Sequence, residues 1–98
     1  MTPAAIAILV ALTGQPEARV REVEAAVVSA LGSDAAVTRI AGGRDRAVAL
    51  VLVVAARESD LRVAVQDCTV TGDRGHAFGL WQEHDRSVCS AGLAGQAA

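Results

Sequence analysis

The chain has 98 residues, of which 52% are hydrophobic and 20% charged, and its formal net charge is −2. This composition is too apolar for a disordered segment, and the length argues for one domain spanning residues 1–98. The charged residues form no basic stripe, so nucleic-acid binding is not expected.

The first segment, residues 1–15, is apolar and contains an uninterrupted apolar run from Ala4 to Leu12. The run lacks the positive flank of a signal peptide, and it is too short to cross a bilayer. We predict a short helix here, with a degenerate export signal as the alternative, and we expect no membrane span.

The stretch from Pro16 to Leu31 has the pattern of an amphipathic helix. Its apolar residues recur at the spacing of one helical face, and Gly32 follows as a C-cap. The stripe consists of Val20, Val23, Val27 and Leu31. A second short helix is predicted over residues 35–41, before a pair of glycines that ends it.

The next helix is predicted to begin near Arg44 and Asp45 and to contain ten consecutive apolar residues, 47–56. A strand is the alternative for such a run, but its length and alanine content favour a helix. A helix that is apolar on all sides is normally buried. The sequence therefore predicts a central buried helix that ends in Arg57-Glu58-Ser59-Asp60.

Beyond this helix the pattern changes. Valines at positions 63, 65 and 70 suggest short extended pieces, and glycines at positions 72, 75 and 79 indicate a loop or a small hairpin. We therefore predict a mainly α domain that carries a small irregular β element over residues 63–82.

Glu58 is a candidate general acid because it follows the apolar helix directly. A carboxyl held against an apolar wall loses hydration, which favours its protonated form, and a glycosidase acid must keep its proton near neutral pH. Arg57 points about 100° away around the helix and is expected to face solvent. The alternative is a helix end that simply reaches water.

The segment from Gly72 to Gln82 contains the chain's only two aromatic residues, Phe78 and Trp81. Sugar-binding surfaces combine apolar rings with a few amide or carboxylate partners, and glycines let a backbone approach a ligand closely. The segment is therefore a candidate sugar-binding surface. The alternative is a hairpin that the two rings anchor to the helices.

Together these pieces resemble goose-type lysozymes and the related bacterial and phage lytic transglycosylases. The resemblance covers roughly residues 50–89, under half of the chain, and it depends on the order and spacing of several short motifs. These are Arg57-Glu58-Ser59, Gly72-Asp73-Arg74-Gly75, Phe78-Gly79-Leu80, Gln82 and Arg86-Ser87.

The resemblance implies a lysozyme-like helical fold and a role for each matching residue. Glu58 would be the catalytic acid, and Asp73 would place a water molecule or stabilise the developing oxocarbenium charge. The substrate would be the glycan strand of peptidoglycan, with no metal or organic cofactor. The residues expected to hold the sugar, including neighbours of the motif, are Phe78, Gly79, Leu80, Trp81, Gln82 and His84.

Two departures from the family pattern bear on the reaction. His84 stands where goose-type enzymes carry a second water-positioning Asp, although Glu83 and Asp85 flank it. Without such a base the muramic-acid 6-hydroxyl can attack internally, which needs one carboxyl alone, so hydrolysis and transglycosylation both stay open. The family's fold also continues for several helices, so we expect a C-terminally truncated domain whose cleft a partner or a longer chain completes.

Cys68 and Cys89 are the two cysteines, and an even count is compatible with one disulfide in an oxidising compartment. Two reduced, buried thiols are an equally weighted alternative. With His76 and His84 the cysteines could instead build a small zinc-binding module, although the close Cys-x2-Cys pair is missing. A disulfide suits an extracytoplasmic enzyme of the periplasm, the cell wall or a phage particle.

The sequence thus predicts a muramidase, acting as a lysozyme or as a lytic transglycosylase. A non-catalytic glycan-binding or assembly module would keep the cleft without needing Glu58. A helical interaction protein would dock through the stripe of the second helix, although the domain's own core needs that stripe.

Overall fold

Helices dominate the computed structural model, which describes residues 1–32, 36, 39–40 and 42–98. The described residues are 68% helical and contain no strand. The predicted mainly α class is therefore confirmed. The short helix predicted over residues 35–41 lies largely outside the described residues.

Helix α1 spans Pro3–Thr13, so the apolar N-terminal segment is helical as predicted. The Thr2 hydroxyl accepts a hydrogen bond from the Ala5 N–H and caps the first turn. Gly14 ends the helix in a left-handed conformation, with φ of 71°. No helix of the described residues is both long and apolar enough to cross a membrane.

Helix α2 spans Glu17–Leu31 and lies at the centre of the fold, in contact with α1, with helix α3 (Arg44–Ser59) and with helix α5 (Gly92–Ala97). The predicted apolar stripe faces these neighbours: Val20, Val23 and Val27 are fully buried. The prediction from periodicity is confirmed because this helix has one apolar face, which the core requires.

Helix α3 differs from its prediction. The face that carries Val48, Leu52 and Ala55 is buried, but Leu50 is 52% exposed and Val53 is 51% exposed. The expectation that α3 is buried on all sides is therefore wrong. With α1 and α2 packed on one side, the described residues leave the opposite apolar face of α3 uncovered.

The predicted β element is much reduced in the structure. Residues Val63–Gln66 form a one-turn helix, α4, so the extended pieces expected at the first two of the three valines are wrong. Two isolated antiparallel bridges remain further along, Gly72 with Ala77 and Phe78 with Glu83. Short 3₁₀ helices at Asp73–Gly75 and Arg86–Ser90 fill the rest of this irregular lobe.

The core is one cluster shared by the helices and the irregular lobe. Leu61, just after α3, and Leu80, in the loop beyond α4, are fully buried beside residues of the three long helices. The buried apolar residues of this cluster include Ile6, Leu9, Val20, Val23, Val27, Val48, Leu52, Ala55, Leu61 and Leu80.

Arg19 is a buried cation on the core side of α2. Its Nε donates to the Leu61 carbonyl at 2.9 Å, and its Nη2 donates to Gln66 Oε1 at 2.7 Å. The Glu22 carboxylate neutralises its charge. A buried charge is tolerated only when it is paired and hydrogen-bonded, so Arg19 fixes the turn after α3 and the helix α4 relative to α2.

Gln96, buried in α5, continues this polar chain into the irregular lobe. Its Oε1 accepts from the Leu80 N–H at 3.0 Å. Its Nε2 donates to the carbonyls of Gln66, at 2.7 Å, and of Val88, at 3.0 Å. One amide therefore satisfies three backbone groups from three separate segments.

The substitution Gln96→Leu should lower the free energy of unfolding by about 3 kcal/mol. The substituted side chain has a similar volume, but it leaves the buried Leu80 N–H unpaired and removes one hydrogen-bond donor from the carbonyls of Gln66 and Val88. Each such loss costs about 1–3 kcal/mol. Urea denaturation measures the change. The control Gln15→Leu, at a half-buried site between α1 and α2, should shift stability by under about 0.5 kcal/mol. Equal losses in both variants would contradict the role of Gln96.

Candidate functional site

A cleft of about 190 Å³ opens beside the C-terminal end of α3. It brings Glu58 together with Gly72 and Gln82, two residues that lie well beyond it in the sequence. Its walls come from the end of α3, from α4 and from the loop after α4. The lining residues are Glu58, Ser59, Asp60, Arg62, Val65, Val70, Thr71, Gly72 and Gln82.

Glu58 lies on the wall of this cleft but is an exposed residue. The sequence predicted a carboxyl desolvated against an apolar wall, and that prediction is wrong because the buried face of α3 points into the core while Glu58 is exposed to solvent. Ser59, its neighbour, is the buried residue, and its hydroxyl donates to the Ala55 carbonyl. Any desolvation of Glu58 must therefore come from a bound ligand.

Asp73 and His84 form a pair at the surface of the lobe. His84 Nε2 lies 3.7 Å from Asp73 Oδ2, and both side chains are more than 60% exposed. Neither residue lines the Glu58 cleft. Of the two acids that flank His84, Glu83 lines a separate cavity beside Trp81.

Asp85, the other flanking acid, accepts a hydrogen bond from the Ser87 N–H and caps the second 3₁₀ helix. The carboxylate that does join Glu58 in the cleft is Asp60. Sequence reasoning placed Asp60 only at the end of the motif helix and missed this role, because residues two apart on a helix point to different faces.

The two aromatic rings lie outside the cleft lining. Trp81 is half-buried against the core, and its Nε1 donates to the Val51 carbonyl of α3 at 3.0 Å. Phe78 is half-buried, with the Arg86 guanidinium 5.9 Å from its ring centroid. Trp81 therefore anchors the loop to α3, which is the alternative that the sequence left open for one of the rings.

Gly79 and Leu80 are buried, so they support the loop from inside and do not present side chains to a ligand. A Cβ at Gly79, where φ is 78°, would lie 2.8 Å from Gln96 Oε1. A Cβ at Gly72 would overlap Gln82 Oε1. These glycines make room for the protein's own amides, whereas the sequence suggested that they make room for a ligand.

Left-handed backbone occurs at several residues of the cleft and the irregular lobe. Six residues other than glycine have positive φ: Asp60 (50°), Leu61 (57°), Cys68 (64°), Asp73 (48°), Arg74 (55°) and Gln82 (51°). Each such residue costs of order 1 kcal/mol, and strain of this kind is concentrated at functional sites. Two of the six, Asp60 and Gln82, line the cleft.

The two cysteines form a disulfide, Cys68–Cys89, across a sequence separation of 21. It ties the end of α4 to the second 3₁₀ helix and thereby closes the lobe that carries the cleft. Cysteines in a disulfide carry no thiolates for a metal. The described residues contain no cluster of His, Cys, Asp or Glu suited to a metal ion, and His76 and His84 are exposed.

Sequence reasoning also missed two residues that position the site. Arg19 stands four residues before Val23 on the apolar stripe of α2, and a cation on that face was a signal for a buried, paired charge. Gln96 lies in a run of small residues whose sequence gives no signal for the three hydrogen bonds that it makes. Among the described residues, Arg62 is the one cation that lines the cleft.

Comparisons with protein-family models, with curated proteins and with solved structures found no match to this chain.

Removing the disulfide should lower the free energy of unfolding by about 3 kcal/mol, since a closed loop of this length restricts the unfolded chain by that amount. The double variant Cys68→Ser/Cys89→Ser, followed by urea denaturation, tests this. Wild-type protein unfolded with a reductant present should match the variant. A loss below about 1 kcal/mol in either case would contradict the prediction.

Two aspartates stabilise the lobe on either side of the disulfide. The Thr69 hydroxyl and backbone N–H hold the pKa of Asp67 below its ordinary value. The Ser87 hydroxyl and backbone N–H lower the pKa of Asp85 in the same way. Because each carboxylate accepts these hydrogen bonds in its charged form, protonation weakens both turns.

The stability that these two turns contribute should be fully present at pH values above the pKa of an aspartate in the unfolded chain, about 4. It should be lost as the pH falls through the lower pKa values that the two carboxyls have in the folded protein. Urea denaturation at a series of pH values from neutral to about 2 measures this acid slope. The double variant Asp67→Asn/Asp85→Asn should show a shallower slope than wild type. Identical slopes would show that the two carboxylates do not contribute.

Proposed function

We propose that the chain is a peptidoglycan-cleaving muramidase that acts on the β-1,4 bond between N-acetylmuramic acid and N-acetylglucosamine. The observation that carries the proposal is the cleft itself. It joins Glu58, at the end of an apolar helix, with Gly72 and Gln82 from the loop whose motifs resemble goose-type lysozymes. The left-handed backbone of Asp60 and Gln82, which both line the cleft, supports a functional assignment of this region.

In this proposal Glu58 protonates the leaving glycosidic oxygen. A sugar ring lying over the cleft would exclude water from this carboxyl, which is exposed without ligand. The Gln82 amide, held by its Nε2 bond to the Gly79 carbonyl at 3.0 Å, keeps Oε1 as an acceptor close to the backbone of Gly72.

The second step depends on which carboxylate reaches the sugar. Asp60 lines the cleft with Glu58, whereas Asp73 is paired with His84 outside it. Hydrolysis by a two-carboxylate route would therefore use Asp60. Internal attack by the muramic-acid 6-hydroxyl would use Glu58 alone, first as acid and then as base, and would leave a 1,6-anhydro end.

The exposure of Glu58 favours a second candidate function, a glycan-binding or assembly module that does not cleave. The cleft of about 190 Å³ is also smaller than the ~300–1,000 Å³ of typical ligand pockets. A module of this kind would hold a short part of a glycan strand, and a partner or a longer chain would complete the groove. The disulfide is compatible with an extracytoplasmic setting for either function.

Digestion of purified peptidoglycan, with the products identified by mass spectrometry, tests the proposal. Wild-type protein should release muropeptides, and Glu58→Gln should reduce the rate at least about a hundredfold, as expected for loss of a general acid. A 1,6-anhydro mass identifies a transglycosylase and a reducing end identifies a hydrolase. Asp60→Asn should reduce only the hydrolase reaction.

Asp45→Asn provides the matched control, because it removes a carboxylate from the opposite end of α3. It should leave the rate within a factor of about two, consistent with a surface substitution. Sedimentation with insoluble peptidoglycan distinguishes the two candidate functions. Binding without cleavage by wild type would favour the glycan-binding module, and absence of both would exclude the two together.

A further inference from the structure

Helix α3 carries an exposed seam on the side away from the core. Arg46, Leu50, Val53 and Arg57 follow one another at spacings of four, three and four residues, and Asp60 comes three residues later. This is the spacing of a coiled-coil seam. All five residues are exposed, including Leu50 at 52% and Val53 at 51%.

An apolar groove runs beside this seam, between α1 and α3. Its volume is about 250 Å³, and its walls are Leu9, Leu12, Val53 and Ala56, with Arg57 and Asp60 at one end. On the α1 side Ile8 is 60% exposed and Leu12 is 72% exposed. The seam and the groove therefore form one apolar face that crosses two helices.

Such a face is unusual on a free helix surface. The ten-residue apolar run of α3 and the uncharged α1 are both apolar around their whole circumference, which is typical of helices covered on every side. Contiguous exposed apolar patches mark interaction sites. The described residues cover only one side of each helix.

The charges at the ends of the seam indicate what covers it. Arg46 lies at one end and Asp60 at the other, and neither forms an ion pair with any of the described residues. In an antiparallel pairing of two α3 helices about a two-fold axis at Val53, Arg46 of each copy comes opposite Asp60 of the other. The seam is thus complementary to itself, as an isologous interface requires.

We propose that this face is a dimer interface for a second copy of the chain, with the two α3 helices antiparallel and α1 flanking them. Leu50 and Val53 form its apolar centre, and two Arg46–Asp60 pairs close its ends. Asp60 lines both the groove and the Glu58 cleft, so this ion pair would compete with a role of Asp60 in hydrolysis.

Sedimentation velocity of the whole chain across the micromolar range tests the proposal. Wild type should be dimeric, and Val53→Glu should raise the dissociation constant at least about tenfold by placing two carboxylates together on the axis. The control is Val63→Glu, because Val63 is similarly exposed (56%) but lies on α4 outside the seam. It should leave the dissociation constant unchanged.

A charge exchange tests the orientation. Arg46→Glu and Asp60→Arg should each weaken the dimer, and the double variant should restore it. The melting temperature of each variant establishes that it is folded, which matters at Asp60 because of its positive φ. A wild type that stays monomeric at every concentration would overturn the proposal and assign the face to lipid or to a different chain. Equal association of Val53→Glu and wild type would also overturn it.

Discussion

A chain of buried polar contacts holds the candidate site in place. Arg19 of α2 binds the Leu61 carbonyl and the Gln66 side chain, and Gln96 of α5 binds the carbonyl of that same Gln66 and the Leu80 N–H. Apolar packing alone does not fix an irregular lobe that has two isolated bridges and no strand among the described residues. Directional hydrogen bonds to its backbone do so, because each is costly to break in a dry environment.

The site depends on this chain of contacts at both of its edges. Leu61 directly follows Asp60, so the hydrogen bond from Arg19 to the Leu61 carbonyl holds the left-handed turn at these two residues. This turn directs the chain away from α3 and opens the cleft. Leu80 lies two residues before Gln82, so the Gln96 bond sets the opposite wall. Glu58 itself needs no such support, because the rigid end of α3 carries it.

Periodicity and composition predicted the helices well. The stripe of α2 and the apolar segment of α1 are local patterns, and the mainly α class followed from them. The valines at positions 63 and 65 misled because tertiary contacts through Gln66 overrode their β propensity. The prediction that α3 is buried on all sides was also wrong, since an apolar run in the sequence does not show whether the same chain or a second molecule covers it.

Within the site, the sequence located the segments but not the groups that face one another. Glu58, Gly72 and Gln82 do meet in one cleft. Asp73, Phe78 and Trp81 do not line it, because the turn at Asp73 and the Trp81 bond to α3 direct these side chains elsewhere. Such orientations depend on single φ angles and on hydrogen bonds across 30 residues, and spacing in the sequence does not encode them.

The sequence distance covered by the buried contacts has a consequence for the order of folding. Arg19 reaches partners 42 and 47 positions away, and Gln96 reaches one 30 positions away. Closing such loops costs conformational entropy, and the contacts offset this cost only after the two ends of each loop have met. We therefore expect the long helices, whose hydrogen bonds are local, to form and dock first and the cleft to take shape last.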